Sequence, residues 1–572
     1  MTESLIITPK FKDWLYLQPD DSVVNTLVNG LKLHPTICRL LALRGVKNTE
    51  EAKHFLNPSL NDLINPFCMK DMEKAIERIH RAIADNEKIL IYGDYDVDGI
   101  TSVSLLYTFF KGIHDAVMYY VPDRNKEGCG ISYDGIDIAH KESCKLLIAL
   151  DCGIKDYKKI NYAKEKGVDI IICDHHLTED ILPDAYAILN PKRADCTYPF
   201  KELSACGVGF KLAQGYTEKY QLDKGKLFEL LDFVAVSIAA DTVPLLGENR
   251  VMAFFGMTHI NNRQRVGFKA LLDIVRAKRK LNLMDLVFTI SPRINAAGRI
   301  LHASYAVELL IETDYKSAKE KAKVIHDNNY ERQLLDKDVT ASALELIAKD
   351  KNFSGKSSIV LYQPDWHAGV IAITASRLVE KYHKPTIILT DSNDVVVGSG
   401  RAPAGFDLYE SVESCKDLLT QFGGHKYAVG LRIEKERIQQ FIKSFEEAAK
   451  LNMLKQASKS VIEIDDVIEL TDLNENFYNQ IERLAPFGFG NNRPTFATKE
   501  VRDTGENGFV GKSHLKLRVT KPGQPARSGI GYDMWDYIPY LRTKKSFDIC
   551  YQIHLNEWKD QKRVEMKVKD LK

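Results

Sequence analysis

The chain has 572 residues, 44% of them apolar and 27% charged, with a formal net charge of +1. Its length accommodates three or four domains with separate cores, and its composition is that of a globular protein rather than a disordered or fibrous one. No stretch of about 18 apolar residues occurs, which excludes a membrane-spanning helix, and the ten cysteines form no CxxC pair, which excludes a disulfide framework and a zinc signature.

In chain order, residues 1–72 are polar with helical spacing and are expected to form an N-terminal helical extension. Their start, MTESLIITPKFKDW, lacks the basic head and long apolar stretch of a secretory signal. With the unpaired thiols, this sets the expectation of a cytoplasmic protein. From about 73, short apolar runs alternate with helical segments. KILIYGD (88–94), KLLIALD (145–151), DIIICDHH (169–176) and AYAILNP (185–191) are continuous rather than alternating, as strands buried on both faces of a parallel sheet are. Helical stretches such as KDYKKINYAKEKG (155–167) end in Gly and complete a βαβ rhythm. Residues 315–350 contain neither Gly nor Pro, which predicts a long helix or a helix pair between two domains. A second α/β unit starts at SSIVLYQ (357–363) and includes PTIILTD (385–391), VVVGSGR (395–401) and a Gly pair at 423–424. Beyond about 460, short strand-like pieces and turns predict a small all-β module. From 497 onward, 16 Lys plus Arg accompany 10 Asp plus Glu, which either a solvated surface or a polyanionic partner explains.

Carboxylates gather where the predicted strands end. Asp94, Asp96 and Asp98 follow the first run, Asp151 the second, and Asp174, His175 and His176 the third. The apolar run in VSIAADTVPL ends at Asp241 and reads as a fourth acidic strand end. In parallel sheets, functional groups collect at these C-terminal ends. Any one such Asp is as readily a helix cap, but four acidic ends in one cleft repel each other unless cations intervene. Two divalent ions about 3.5–4 Å apart would relieve them and would activate water against a phosphoryl group. Oxygen donors suit Mg²⁺ or Mn²⁺, and an imidazole tilts the choice to Mn²⁺.

DYDVDG, LDCGI, CDHH and AADTVPL resemble, in order, the motifs of the DHH phosphoesterase superfamily. VPDRNKEGCGIS (121–132), SPRINAAGRI (291–300), WHAGVIAITASRL (366–378), GSGR (398–401), FGGHKYAVG (422–430) and LAPFGFGNNRPTF (484–496) narrow the resemblance to the RecJ exonuclease family, from about residue 30 to the end. The resemblance implies two α/β domains joined by a long helix, plus a C-terminal all-β OB-fold domain. The boundaries are then 1–72 for the extension, 73–314 for the DHH catalytic domain, 315–350 for the connecting helix, 351–455 for the DHHA1 domain and 456–572 for the OB-fold. It further implies two-metal-ion hydrolysis of single-stranded DNA, 5′→3′, to 5′-mononucleotides in DNA repair and recombination, with Mn²⁺ or Mg²⁺. Single-strand-binding protein and a helicase are the implied partners, and a membrane is not. The alternative within the superfamily is a phosphodiesterase of short oligonucleotides or cyclic dinucleotides, which leaves the terminal β-module unexplained.

Carried over to this sequence, Asp94, Asp96, Asp98, Asp151, His175 and Asp241 become metal ligands, with Asp94 either a ligand or just behind one. Asp98 and His175 are central to catalysis, Asp174 orients an imidazole, and His176 contacts the scissile phosphate. Arg124, Arg293, Asn295, Arg299, Ser399, Gly400, Arg401 and His425 become phosphate contacts, with Arg124, Ser399 and Arg401 holding the 5′-terminal one. Two positions depart from the pattern: Tyr92 stands where many superfamily members carry His, and Cys152 where Asn is usual. In the β-module, Phe509, Tyr532, Trp535, Tyr537, Tyr540 and Trp558 lie among basic residues. Such aromatics stack on unpaired bases or fill the barrel, and about two of them are expected to face DNA.

Overall fold

Strands Lys88–Gly93, Val117–Tyr120, Cys144–Leu150, Asp169–Cys173 and Ala187–Leu189 form one parallel sheet in a computed structural model of the chain. The structure describes residues 11–572 except 125, 263, 278, 393–394, 456–460, 512, 544 and 559–560. The expected boundary at 455/456 and the first ten residues of the expected extension therefore lie outside the described residues. All four predicted runs are strands. Val117–Tyr120 adds a fifth on the far side of Lys88–Gly93, so the strand order reverses between Lys88–Gly93 and Cys144–Leu150. Ligands of open α/β sheets bind at that reversal, outside the C-terminal strand ends.

VSIAADTVPL is not a strand. Leu231–Asp241 is a helix, buried at every position from Leu231 to Ala239 and ended by Thr242 at φ 59°. A helix packed on all sides loses its periodicity, so its apolar run reads like that of a buried strand.

Tyr315–Lys349 is a single helix of 35 residues, about 50 Å long. Its buried face changes partners along the way. Ala318, Ala322 and Ile325 join the core of the first domain, whereas Val339, Ala343 and Ile347 join that of the second. Between them the buried positions are polar, Asn329 and Asp336. The second domain is a mixed sheet of Ile359–Tyr362, Thr386–Ser392, Val395–Arg401, Leu419–His425 and Ala428–Ile433.

In the terminal module, Thr495–Asp503 pairs with both Phe547–Trp558 and His514–Thr520, which closes a small barrel. The first described residues do not stand apart from it. Asp13–Tyr16 is a strand running parallel to Val461–Ile464. Helices Asp21–Gly30, Pro35–Leu43 and Thr49–Leu56 contribute Leu27, Ile37, Leu41 and Leu56 to the barrel's core. Where the two ends of the chain meet, buried Asp570 accepts hydrogen bonds from the Lys12 amide, Trp14 Nε1 and the Tyr537 hydroxyl at 3.1, 2.9 and 2.5 Å. Asp570→Ala strands these donors and is expected to cost about 3 kcal/mol, seen as a lower urea midpoint at unchanged slope. Among the described residues no helix is long and apolar enough to cross a membrane. The ten cysteines are free thiols, eight of them buried.

Candidate active site

The parallel ladder continues one residue beyond three strands. The amides of Asp94, Asp151 and Asp174 donate to the carbonyls of Leu150, Cys173 and Leu189 at 3.3, 3.0 and 3.0 Å. Three aspartates thus stand side by side, one strand spacing of about 4.8 Å apart. Asp96 caps helix Val97–Lys111, accepting from the amides of Asp98 and Gly99 at 2.9 and 3.1 Å. Only glycine fits at 99, because a Cβ there would lie 2.2 Å from the Asp94 carbonyl oxygen. Asp98 is 2% exposed. It accepts from the amides of Ala205 and Cys206, both at 2.9 Å, and from the Ser237 hydroxyl at 2.7 Å.

His175 completes the cluster. Its Nδ1 lies 3.0 Å from the Leu203 carbonyl, which can only accept, so Nδ1 carries the proton. Nε2 then turns a lone pair toward Asp151, Asp241 and Asp98, whose oxygens are 3.4, 3.6 and 3.8 Å away. A lone pair among carboxylates is repulsive unless a cation sits between them. Burial and the charge of Asp96 raise Asp94 to about 7, burial and Asp98 raise Asp241 to about 8, and burial and Asp96 push Asp151 well above the usual carboxylate range. Among the described residues two groups are close enough to share an ion: Asp98, His175 and Asp241, and Asp151, His175 and His176. Oxygen donors with one unprotonated imidazole nitrogen fit Mn²⁺ or Mg²⁺.

Asp174 faces away from this cage. It accepts from the amides of His175, His176 and Ile154 at 2.7, 3.1 and 3.2 Å and from His176 Nδ1 at 2.7 Å. Burial alone would raise its pKa, but the bond to His176 and that ring's charge outweigh burial and bring it to about 2. The same bond lifts His176 to about 9, which leaves a cation at the cage mouth with its side chain 57% exposed. Tyr92 is fully buried, and its hydroxyl donates to the Gly130 carbonyl at 2.9 Å and accepts from the Ser132 amide at 3.0 Å. It pins a loop rather than replacing a metal-binding His. Cys152 is buried among Asp94, Asp174 and Asp151.

Beside the cage lies a cluster of arginines. Arg124 stacks 5.0 Å over the Tyr95 ring, where its charge also acts on Asp94. Arg299, on helix Ser291–Ile300, reaches the second domain and donates to the Gly369 carbonyl at 2.8 Å. That helix presses on the Tyr95 backbone so closely that a Cβ on Gly298 would sit 2.8 Å from its oxygen. Arg401 donates to Ser399 Oγ and the Gly400 carbonyl at 3.1 and 2.7 Å. Burial and then Arg124, Arg332 and Arg401 lower Arg299 to about 9, so these guanidinium groups share one space. Arg293 donates to the Thr289 carbonyl and to His326 Nδ1 at 2.5 and 3.2 Å, with Asn295 half-buried on the same helix. The pairings of Arg401 with Ala428 and of Ala428 with His425 place exposed His425 two strands from Arg401.

Arg332 was not among the sequence candidates. It sits on the long helix between its two apolar ends, and its Nε is buried without a hydrogen-bond partner among the described residues. Its neighbours in sequence, Glu331 and Gln333, suggest only a solvated helix face, and it is packing that sets it near Arg293 and Arg299.

Residues 88–238 match the family model for the DHH family N-terminal domain, 355–451 that for the DHHA1 domain, and 464–570 that for the RecJ OB domain. The chain is 34% identical over 566 residues to the single-stranded-DNA-specific exonuclease RecJ of Bacillus subtilis, covering 97% of this chain and 70% of that one. To the RecJ exonuclease of Escherichia coli it is 30% identical over 555 residues, covering 94% and 95%. The chain belongs to the RecJ family. Its fold agrees with the crystal structure of RecJ in complex with Mn²⁺ from Thermus thermophilus at a TM-score of 0.83, with 25% identity and 98% of this chain and 79% of that one covered. In this RecJ-family chain the DHH match spans Asp94 to His176 and stops three residues before Asp241, and the DHHA1 match spans Ser399, Arg401 and His425.

Proposed function

We propose that this chain is a metal-dependent exonuclease specific for single-stranded DNA, cutting 5′→3′ and releasing 5′-mononucleotides in DNA repair and recombination. The observation that carries this reading is the meeting of an acidic cage and an arginine cluster at Asp94 and Arg124, between two α/β domains. An anion seated on the arginines is held beside the place where divalent cations fit, as end-directed cleavage of a polynucleotide requires.

Two divalent ions, Mn²⁺ or Mg²⁺, held by Asp94, Asp96, Asp98, Asp151, His175 and Asp241 would supply a water-derived nucleophile at neutral pH and offset charge on the scissile phosphate. The rest falls to the chain's own groups. Two backbone amides and Ser237 hold Asp98 in place. The Leu203 carbonyl selects the His175 tautomer that can ligate. His176, kept cationic by Asp174, donates to the scissile phosphate. Arg124, Ser399 and Arg401 seat the 5′ phosphate, and Arg293, Asn295, Arg299, Gly400 and His425 line the strand's approach. A fixed distance from seat to cage sets the product at one nucleotide.

The terminal module holds the strand on the 3′ side of the cut. Phe509, Tyr532 and Trp535 are 62%, 54% and 42% exposed, while Tyr537 is buried on Asp570 and Tyr540 packs edge-on against Phe11 at 5.1 Å. The Trp558 ring lies outside the described residues. Lys567 sits 5.4 Å over Tyr532, and Lys516, Ile530, Lys567 and Gln552 align across four strands. Aromatic platforms beside basic groups suit sequence-tolerant binding. The family resemblance adds single-strand-binding protein and a helicase as partners in a cytoplasmic setting.

The test is digestion of end-labelled strands with Mn²⁺ or Mg²⁺. A 5′-labelled single strand should yield labelled mononucleotide from the start, a 3′-labelled one a shrinking ladder, and a duplex neither. Stalling on anything longer than a few nucleotides would favour the short-oligonucleotide phosphodiesterase instead.

A further inference from the structure

The turn that follows Asp241 is held from outside its own domain. The first turn of helix Gly247–Asn262 carries Glu248, Asn249 and Arg250, three consecutive polar residues that are 2%, 0% and 3% exposed. Such a run is costly to bury without partners, and each of these is tied to a different segment, with Asn249 Oδ1 left without a hydrogen-bond partner among the described residues. Glu248 takes Lys211 Nζ and the Ile64 amide, both at 2.8 Å, and the Tyr198 hydroxyl. Asn249 Nδ2 donates to the Pro244 carbonyl, inside the turn, at 3.0 Å and to the Glu202 carbonyl at 2.5 Å. Arg250 gathers backbone carbonyls: Phe55 at 2.9 Å, Leu484 at 2.7 Å and Ala485 at 2.8 Å, with its guanidinium 4.0 Å over the Phe55 ring.

The loop that Arg250 holds, 484–491, belongs to the C-terminal module, and it folds back onto the turn. The Leu245 amide donates to the Phe489 carbonyl at 2.7 Å. Asn491 braces the loop by donating to the carbonyls of Leu484 and Pro486, both at 2.8 Å, and its own oxygen accepts from Arg44 at 2.5 Å. Gly490, at φ 74°, passes so near that a Cβ would lie 3.3 Å from Pro244 Cβ. Pro244 and Leu245 are the third and fourth residues after Asp241, whose carboxylate stands 3.6 Å from His175 Nε2.

We propose that Arg250 is a positioning residue through which the C-terminal module completes the metal cage: by clasping loop 484–491 to the turn after Asp241, it holds that carboxylate at its place among the metal-binding groups. The module then has two tasks, gripping the strand and setting the geometry of the centre that cuts it. This rests on the reading of Asp241 as a metal ligand. Groups that orient a ligand typically change metal affinity ~10–100-fold when removed.

The experiment measures Mn²⁺ binding to the full chain by calorimetry, without DNA, in Arg250→Lys, Gly490→Ala and Asp241→Asn. Affinity for an oligonucleotide and the melting transition are followed in chelator. Arg250→Lys disturbs the carbonyl clasp and Gly490→Ala presses on Pro244 from the other side. Each should weaken Mn²⁺ binding ~10-fold or more, with oligonucleotide affinity within about twofold of wild type and a cooperative melt retained. If Asp241→Asn loses Mn²⁺ while the other two bind it like wild type, the clasp does not set the cage and the inference falls alone. If Asp241→Asn itself binds like wild type, the ligand assignment falls and takes the inference with it. Chains of both clasp variants already unfolded at room temperature would make Arg250 a folding residue, which also overturns the proposal.

Discussion

Asp98→Asn is expected to lower the rate of strand cleavage at least ~10³-fold, the scale on which catalytic groups that act as a unit fail when one is removed. Affinity for a single strand in chelator should stay within about twofold. Asp98 is the most enclosed of the acidic groups on the 94–98 stretch, and both of its oxygens are in use. An amide in its place brings an NH₂ against the N–H of Ala205 or of Cys206, two donors face to face. It also removes one of the three carboxylates that surround His175 Nε2. Neither change touches the exposed aromatics of the terminal module or the arginines between the domains. The loss therefore belongs in kcat, and His175→Ala should share it. Cleavage within ~10-fold of wild type in either variant would place the metal centre elsewhere.

Arg401→Ala is expected to shrink the preference for a 5′-phosphorylated over a 5′-hydroxyl strand by ~10–100-fold, because a hydrogen bond to a charged group is worth ~1.5–3 kcal/mol. The comparison is of kcat/KM on the two substrates, so that any general loss of fitness cancels. Arg401 now spends its donors on the Ser399 hydroxyl and the Gly400 carbonyl, both neutral. Burial and the nearby Arg124 lower its pKa, and Arg299 is lowered in the same way. Charges of one sign packed so closely are relieved by an anion, and a dianionic end relieves them more than a hydroxyl does. Since these arginines are half-buried, the preference should respond less to added salt than a fully exposed contact would. An unchanged ratio would move the 5′ pocket away from these residues.

Much of the centre was legible because its strands are buried on both faces. KILIYGD, KLLIALD and DIIICDHH each place an Asp directly after the strand, and the ladder between neighbouring strands carries Asp94, Asp151 and Asp174 to one edge with no further information needed. Asp241 was found by its place in an apolar run but assigned to the wrong element, since a helix buried all round carries no periodicity to distinguish it. Tyr92 shows the limit from the other side. Its departure from the superfamily pattern was plain in the sequence, but its role under the loop at Gly130 and Ser132 was not.

The sequence by itself determined which chemistry is available: carboxylates and imidazoles at strand ends, arginines in glycine-bearing segments, and a basic, aromatic module at the C-terminus. It could do so because burial and backbone preference are written locally, within the ~10 residues of a strand or helix turn pattern. Only the tertiary structure decided which groups meet. The first strand pairs with Val461–Ile464 and Trp14 finds Asp570, 556 residues away. Arg250 collects carbonyls 195 residues before it and 234 after it. Arg332 comes to lie beside Arg299 because two helices pack together. Such meetings depend on how whole segments fit against each other, and no local pattern of residues records that fit.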